Sequence, residues 1–299
     1  MKLRSIVVAT DFSPVAESAF RLGLAVARAA GARLTICHAV PLEIAIYAGI
    51  PLGLRGELEA TLRAKQESDR KKAVRLAGRA EKAGVKAAAL IEEGDPAAVV
   101  LAVAKKAKAD LVVTGSHGRG GAAHLLLGSV AEKVVRLAPC AVLVVKKGKA
   151  REGGPVLVAL DDSPMAPAVA KAAVAIAKRL RARLIAVHVL RETHIYEDVY
   201  GPAIGRQVYR EIADVGLRRA KEKMAGVLRK AGAQVAAGDL HVLEGRAQDV
   251  VEDLAKRLHP CLTVVGTHGR RGLSRVVLGS VAEAIVRRAP SPVLVARMK

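Results

Sequence analysis

The sequence has no tryptophan, two phenylalanines and four tyrosines in 299 residues. With aromatics at 2% and apolar residues at 52%, any core must be built from Val, Leu, Ile and Ala. That palette suits parallel strands buried on both faces by helices. Bases would find almost no ring to stack on, which disfavours nucleic acid as a partner. Cysteine is scarce as well: Cys37, Cys140 and Cys261 are odd in number and form no C-x-x-C pair. A disulfide framework or zinc site is thereby disfavoured, and the usage fits a reducing compartment. No apolar run reaches the roughly 18 residues that cross a bilayer, and the N-terminal segment lacks the long apolar stretch and cleavage site of a signal peptide. The expectation is a cytoplasmic protein without a membrane partner. Acids are also short, 28 against 49 Lys and Arg, for a net charge of +21. The surplus is shared evenly between the two halves and forms no basic tail. It favours anionic partners, and the preferred reading is solvated helix faces plus a polyanionic small ligand.

What is present is a duplication. The length suggests about two domains, and a repeat accounts for both. Ile6-Val-Val-Ala-Thr-Asp-Phe-Ser-Pro14 matches Val156-Leu-Val-Ala-Leu-Asp-Asp-Ser-Pro164, and Leu34–Ala39 matches Leu184–Val189. Glu93-Gly94 matches Glu244-Gly245, and Gly115-Ser-His-Gly-Arg119 matches Gly266-Thr-His-Gly-Arg270. Leu127–Glu132 matches Leu278–Glu283, and Ala138–Val145 matches Ala289–Ala296. The polar, glycine-rich stretch 146–155 reads as a linker. The expected domains are 1–147 and 154–299.

Within a half, short apolar runs alternate with helical segments. The first strand is expected at Ser5–Thr10, followed by a helix with Ser13 as N-cap and Pro14 at its first position. Gly31 stops that helix. Strands at Leu34–Ala39, Ala87–Glu92, Leu111–Thr114 and Ala141–Val145 are separated by helices at 56–83, at Pro96–Ala107 and from Val130. This strict alternation predicts an α/β fold with a parallel sheet covered by helices in each half.

The segment that carries chemistry is Gly115-x-x-Gly118, nine residues, then Gly128-Ser129, with a second copy in Gly266, Gly269, Gly279 and Ser280. Glycines allow close backbone approach and positive φ, and successive amides form an anion cradle. The loop leaves the carboxyl end of a strand and enters a helix N-terminus, where free amides and the dipole attract negative charge. Ser129-x-x-Glu132 and Ser280-x-x-Glu283 read as capping boxes, and the same hydroxyls can donate to a phosphate. A lone GxxG is a weak signal; the recurrence of the whole spacing in the same strand-to-helix context strengthens it.

Asp11 and Asp161 end the first strand of each half. If the first and fourth strands are neighbours, each aspartate faces its glycine loop across the crevice at the carboxyl ends of the strands. There it could accept from adenine or ribose, or simply cap the following helix. Arg119 and Arg270 adjoin the second glycine, where they can reach phosphate or serve as solvated loop charges. His117 and His268 lie in the loops without metal-ligand spacing. His38 and His188 read as structural strand-end residues. Asp162 is given no role, because Phe12 stands at its repeat position.

The strand-ending Asp, the Gly-x-x-Gly-x9-Gly-Ser motif and the Ala-Pro-x-x-Val-Leu-Val last strand resemble the universal stress protein family, over nearly the whole chain and twice. The resemblance implies two tandem, doubly wound, Rossmann-like five-stranded sheets of order 3-2-1-4-5, related by a pseudo-twofold. It implies an internal pseudo-dimer through Ala141–Val145 and Val293–Ala296, with a homodimer of the chain as a further step. Members with the complete motif bind ATP. By resemblance, Asp11 and Asp161 contact adenosine, and the backbones of Ala39 and Val189 contact adenine. Gly115, Gly118, Gly128, Ser129 and Val130 cradle phosphate and ribose, as do Gly266, Gly269, Gly279, Ser280 and Val281. Mg²⁺ can accompany the triphosphate, although no protein ligand set is evident.

The resulting expectation is an ATP-binding, stress-response regulatory protein rather than an enzyme. The chain has no Walker motif and no Ser-Gly-Gly loop after its first strand, so any hydrolysis should be slow. A slow ATPase, and a nucleotide-free scaffold or non-specific nucleic-acid binder, are the alternatives.

Overall fold

The computed structural model describes residues 2–41, 55–118, 127–146, 153–190, 206–267 and 278–297. The chain divides into two compact units, Lys2–Lys149 and Ala150–Met298. The first contains β1 (Ser5–Ala9), α1 (Pro14–Ala30), β2 (Arg33–Val40), α2 (Arg55–Lys82), β3 (Ala87–Glu93), α3 (Pro96–Lys106), β4 (Leu111–Gly115), α4 (Ser129–Leu137) and β5 (Ala141–Val145). Its strands pair in the order β3-β2-β1-β4-β5, all parallel. The second contains β6 (Val156–Leu160), α5 (Ala166–Leu180), β7 (Leu184–Leu190), α6 (Arg206–Lys230), β8 (Leu240–Glu244), α7 (Ala247–Leu258), β9 (Leu262–Gly266), α8 (Ser280–Arg288) and β10 (Val293–Ala296). The same parallel order recurs as β8-β7-β6-β9-β10. Each half is therefore a doubly wound α/β sheet of order 3-2-1-4-5.

Local chemistry explains the elements. Every residue of β1 and of β5 is buried, as expected of continuous apolar runs covered on both faces. The Ser13 hydroxyl accepts from the Ala16 amide, Pro14 occupies the first helical turn, and Gly31 ends α1 at φ 62°. The buried stripe of α1 includes Val15, Ala19, Phe20, Val26 and Ala27, the three- and four-residue spacing of a helix lying on a sheet. Close approach fixes one member of that stripe. A Cβ on Gly23 would lie 2.8 Å from Val8 Cγ2, so α1 sits nearer the sheet than any side chain there would allow.

The second half departs in detail. Its first helix begins at Ala166 with Met165 as N-cap, two residues later than Pro164 would place it. The Ser163 hydroxyl accepts from the Met165 amide and donates to Asp161 Oδ1 at 2.6 Å. The hydroxyl thus serves the turn, and the helix starts after it. Arg181 takes the left-handed C-terminal position at φ 51°, where the first half has Gly31.

In both halves the strand order reverses beside the first strand. β2 lies on one side of β1 and β4 on the other, and β6 is flanked in the same way by β7 and β9. That reversal opens the crevice at the carboxyl ends where ligands of open α/β sheets sit.

Candidate nucleotide site

The crevice is built around Asp11. β1 ends at Ala9, and the chain turns so that the Ser13 amide donates to Asp11 Oδ1 at 3.0 Å while the Phe12 amide donates to Thr10 Oγ1 at 3.0 Å. Phe12 is held at φ 63°, a costly region for a bulky side chain. The aspartate serves the turn before the helix, whose N-cap is Ser13. One carboxylate oxygen serves the turn, and the other points across the crevice: a Cβ on Gly118 would lie 2.8 Å from Asp11 Oδ2. Asp161 Oδ1 likewise accepts from the Ser163 amide at 3.1 Å, although Asp162 does not share the positive φ of Phe12.

The glycines work by closeness. Gly115 is the last residue of β4, paired with Val145, and a Cβ there would meet Val15 Cγ1 at 3.0 Å and the His117 carbonyl at 3.3 Å. A Cβ on Gly128 would meet the Ser116 carbonyl at 3.2 Å. Neither Gly115, Gly118 nor Gly128 adopts positive φ, which corrects the expectation that these positions need left-handed backbone. Near this end of the sheet, positive φ is found instead at the glycine after the third strand, Gly94 at φ 141° and Gly245 at φ 137°. Their amides donate to the carbonyls of Val40 and Leu190.

The entry to α4 also differs from expectation. Gly128 is the N-cap, in extended conformation, and no side chain caps the helix. Gly279 does the same for α8. Ser129 and Ser280 are first helical residues, so the capping boxes do not form. The cap position is fixed by tertiary hydrogen bonds, Gly128 N–H to the Ser116 carbonyl and Gly279 N–H to the Thr267 carbonyl, each 2.8 Å. The first amides of each helix lack intrahelical acceptors, and the Ser129 and Ser280 side chains are exposed beside them.

Ala39 and Val189 lie near the ends of β2 and β7, half-buried and in register with Glu92 and Leu243. Val130 and Val281 follow the serines in the first helical turns, and Gly266 ends β9 opposite Ala296. In the first half the structure brings Asp11, Gly115, Gly118, Gly128 and Ser129 to one end of the sheet. Asp161, Gly266, Gly279 and Ser280 are placed likewise. Arg119, Gly269, Arg270 and His268 lie outside the described residues.

One cluster was not apparent from the sequence. His38 is 5% exposed and His188 1% exposed. Each places its Nδ1 2.8 Å from the carbonyl oxygen of the residue before the aspartate, Thr10 and Leu160 respectively. The far nitrogen of each ring faces a carboxylate. In the first half this is Asp69 of α2, 3.5 Å from His38 Nε2 and 2.8 Å from Lys72 Nζ. In the second it is Asp162 of the turn itself, 4.0 Å from His188 Nε2 and 3.1 Å from Lys223 Nζ. Asp162 therefore has a counterpart in Asp69 by function and not by repeat position, where the Phe12 ring packs on His38 with centroids 4.6 Å apart. The matching histidines were the available signal; the carboxylates were not, because they come from different elements.

Among the described residues no group of three His, Cys, Asp or Glu side chains could hold a metal ion. Burial pushes the Cys37 thiol up to about 12, and burial also raises that of Cys261. Thiolate chemistry is suppressed at both. No helix among the described residues is long and apolar enough to cross a membrane.

The family model described as "Universal stress protein family" matches residues 2–146 and 154–297. A universal stress protein of Mycobacterium tuberculosis is 31% identical over 304 aligned positions, covering 99% of this chain and 98% of that protein. One from Methanocaldococcus jannaschii is 36% identical over 146 positions, 49% of this chain and 84% of its own length. Among solved structures, a universal stress protein from Archaeoglobus fulgidus superposes with a TM-score of 0.69 at 20% identity, covering 99% of each chain.

Proposed function

Because the chain belongs to the universal stress protein family, we propose that each half binds an adenine nucleotide, ATP first among them, and that occupancy rather than turnover is the output. The observation that carries this reading is the pair of helix N-termini, α4 and α8, each entered through a glycine and capped by no side chain. Both stand at the reversal point of their sheets. Amides and helix dipole there favour a polyphosphate. Gly118 and Gly128 keep side chains out of the crevice, and Asp11 and Asp161 offer acceptors for ribose hydroxyls or an adenine amino group. Ser129 and Ser280, freed from capping, can donate to phosphate. The large positive charge suits such a ligand.

Mg²⁺ would arrive on the triphosphate's own oxygens, charge-neutralising them, with the protein contacting the nucleotide. We assign no catalytic residue. A cytoplasmic regulatory protein responding to stress through nucleotide-dependent contacts with partners is the reading that results. Titration calorimetry of the full chain with ATP tests it. The expected result is two sites per chain, competed by related adenine nucleotides; no heat with ATP, ADP, AMP or cyclic AMP would overturn it.

A further inference from the structure

We propose that His38 and His188 are positioning residues for the two nucleotide sites, each ring fixing the direction of the aspartate that follows the carbonyl it holds. The proposal rests on the nucleotide reading above for its functional consequence, but its structural content is independent of it.

The β1–β2 ladder ends at Ala9 and Cys37, with the Thr10 amide still donating to the Cys37 carbonyl. The Thr10 carbonyl comes next, at the point where the chain leaves the sheet. A buried carbonyl left without a donor is costly. His38 supplies one at 2.8 Å. A carbonyl only accepts, so Nδ1 carries the proton, and the ring closes the end of the strand where the backbone ladder stops. The next residue is Asp11. With the Thr10 amide and carbonyl both tied, the peptide plane that launches Asp11 is fixed, and Oδ2 is set toward Gly118. In the second half the Leu160 carbonyl and His188 repeat this arrangement at the same 2.8 Å before Asp161.

The carboxylates extend the argument. The other edge of each ring faces an aspartate that is itself held by a lysine of the long helix, Asp69 at 3.5 Å from His38 and Asp162 at 4.0 Å from His188, the latter beyond hydrogen-bond distance. The two halves diverged in which element supplies the acid, α2 or the turn, yet both retain an acid facing the ring and a lysine facing the acid. Ring packing alone would not need a carboxylate in either half.

The test uses the full chain carrying Gly269→Val, so that nucleotide heat reports the first half. His38→Asn keeps an N–H where Nδ1 stands; His38→Gln reaches toward Asp69 and abandons the Thr10 carbonyl. ATP affinity should fall about tenfold in His38→Gln, as expected for one lost buried hydrogen bond, and return to within about threefold of the parent in His38→Asn. Hydrogen exchange of the Phe12 and Ser13 amides, measured without nucleotide, should accelerate in His38→Gln and stay near the parent in His38→Asn. Equal affinities and equal exchange in the two variants, with melting temperatures showing both folded, would overturn the proposal. If the parent binds no nucleotide, the nucleotide reading fails, and the exchange comparison still decides whether the ring sets the turn.

Discussion

The two halves of this chain have the same strand order, the same aspartate accepting from the serine two residues on, and the same glycine-capped helix, yet they are braced differently around those shared parts. In the first half α1 presses on the sheet through Gly23, and Glu17 binds Arg79 of α2 through both guanidinium nitrogens at 2.9 and 2.7 Å. In the second, Ala173 stands at the position of Gly23 and Pro167 at that of Glu17, so this ion pair has no equivalent. The acid behind the histidine has moved from a helix to a turn. The aspartate, the loop glycines and the histidine that closes the strand end are the same in both halves, whereas the residue after the aspartate, the acid behind the histidine and the contacts that hold the first helix differ.

The comparison can be broken most sharply at the glycine loop. Gly118→Val forces a side chain onto the Asp11 carboxylate and should remove one of the two calorimetric sites, weakening it about a hundredfold or more, the scale on which misplaced binding groups fail. If both sites persist, the loops do not carry the ligand. The next effect concerns the relocated acid. Asp69 is 5% exposed and Asp162 24% exposed, so Asp69→Ala should destabilise by about 2 kcal/mol through loss of its charge-assisted hydrogen bond to Lys72. Asp162→Ala should cost about 1 kcal/mol in the same denaturant titration, because water reaches it. Adding Phe12→Asp to Asp69→Ala should recover part of the loss, since aspartate tolerates positive φ better than phenylalanine.

Smaller differences follow from packing. Gly23→Ala should cost about 1–3 kcal/mol, as overpacking does, because the new methyl would meet Val8 Cγ2 at 2.8 Å. Ala173→Gly should cost about 1–2 kcal/mol through helix propensity together with loss of a buried methyl group. Equal values in chemical denaturation would mean that the two helices sit at the same height above their sheets. The least effect is expected at the surface. The hydrogen bond from Arg79 holds the Glu17 carboxyl below its ordinary range, with Arg21 adding to it. A depressed carboxyl stabilises above the unfolded value and loses that contribution as pH falls through the folded one. Arg79→Ala should therefore cost under about 1 kcal/mol near neutrality, and the gap to the parent should close in acid.

Much of this was legible in the sequence, for identifiable reasons. Strands buried on both faces leave unbroken apolar runs, and Ser13-Pro14 with Gly31 marks a helix by local chemistry alone. The duplication fixed the domain pattern, and the rule for open sheets put Asp11 across from Gly118 before any coordinate did. Other features depended on distant contacts. Whether Ser129 or Gly128 caps α4 is settled by a hydrogen bond to Ser116, which no capping motif reports. Gly115 and Gly118 are small because Val15 and Asp11 crowd them, not because φ is positive. The link between His38 and Asp69 depends on the rotation of α2 above the sheet, and the exchange of Asp69 for Asp162 is hidden from any position-by-position match of the repeats.

The duplication has one further consequence. In a one-domain protein that pairs with itself, every substitution is imposed on both sites at once, so neither can change its affinity without the other. Under the nucleotide reading proposed above, a single reading frame delivers two sites in fixed equal number, while each is inherited through its own codons. One site can be retuned toward a scarcer ligand or a different threshold while its sibling keeps the original setting, and the cell never has to balance the supply of two separate proteins.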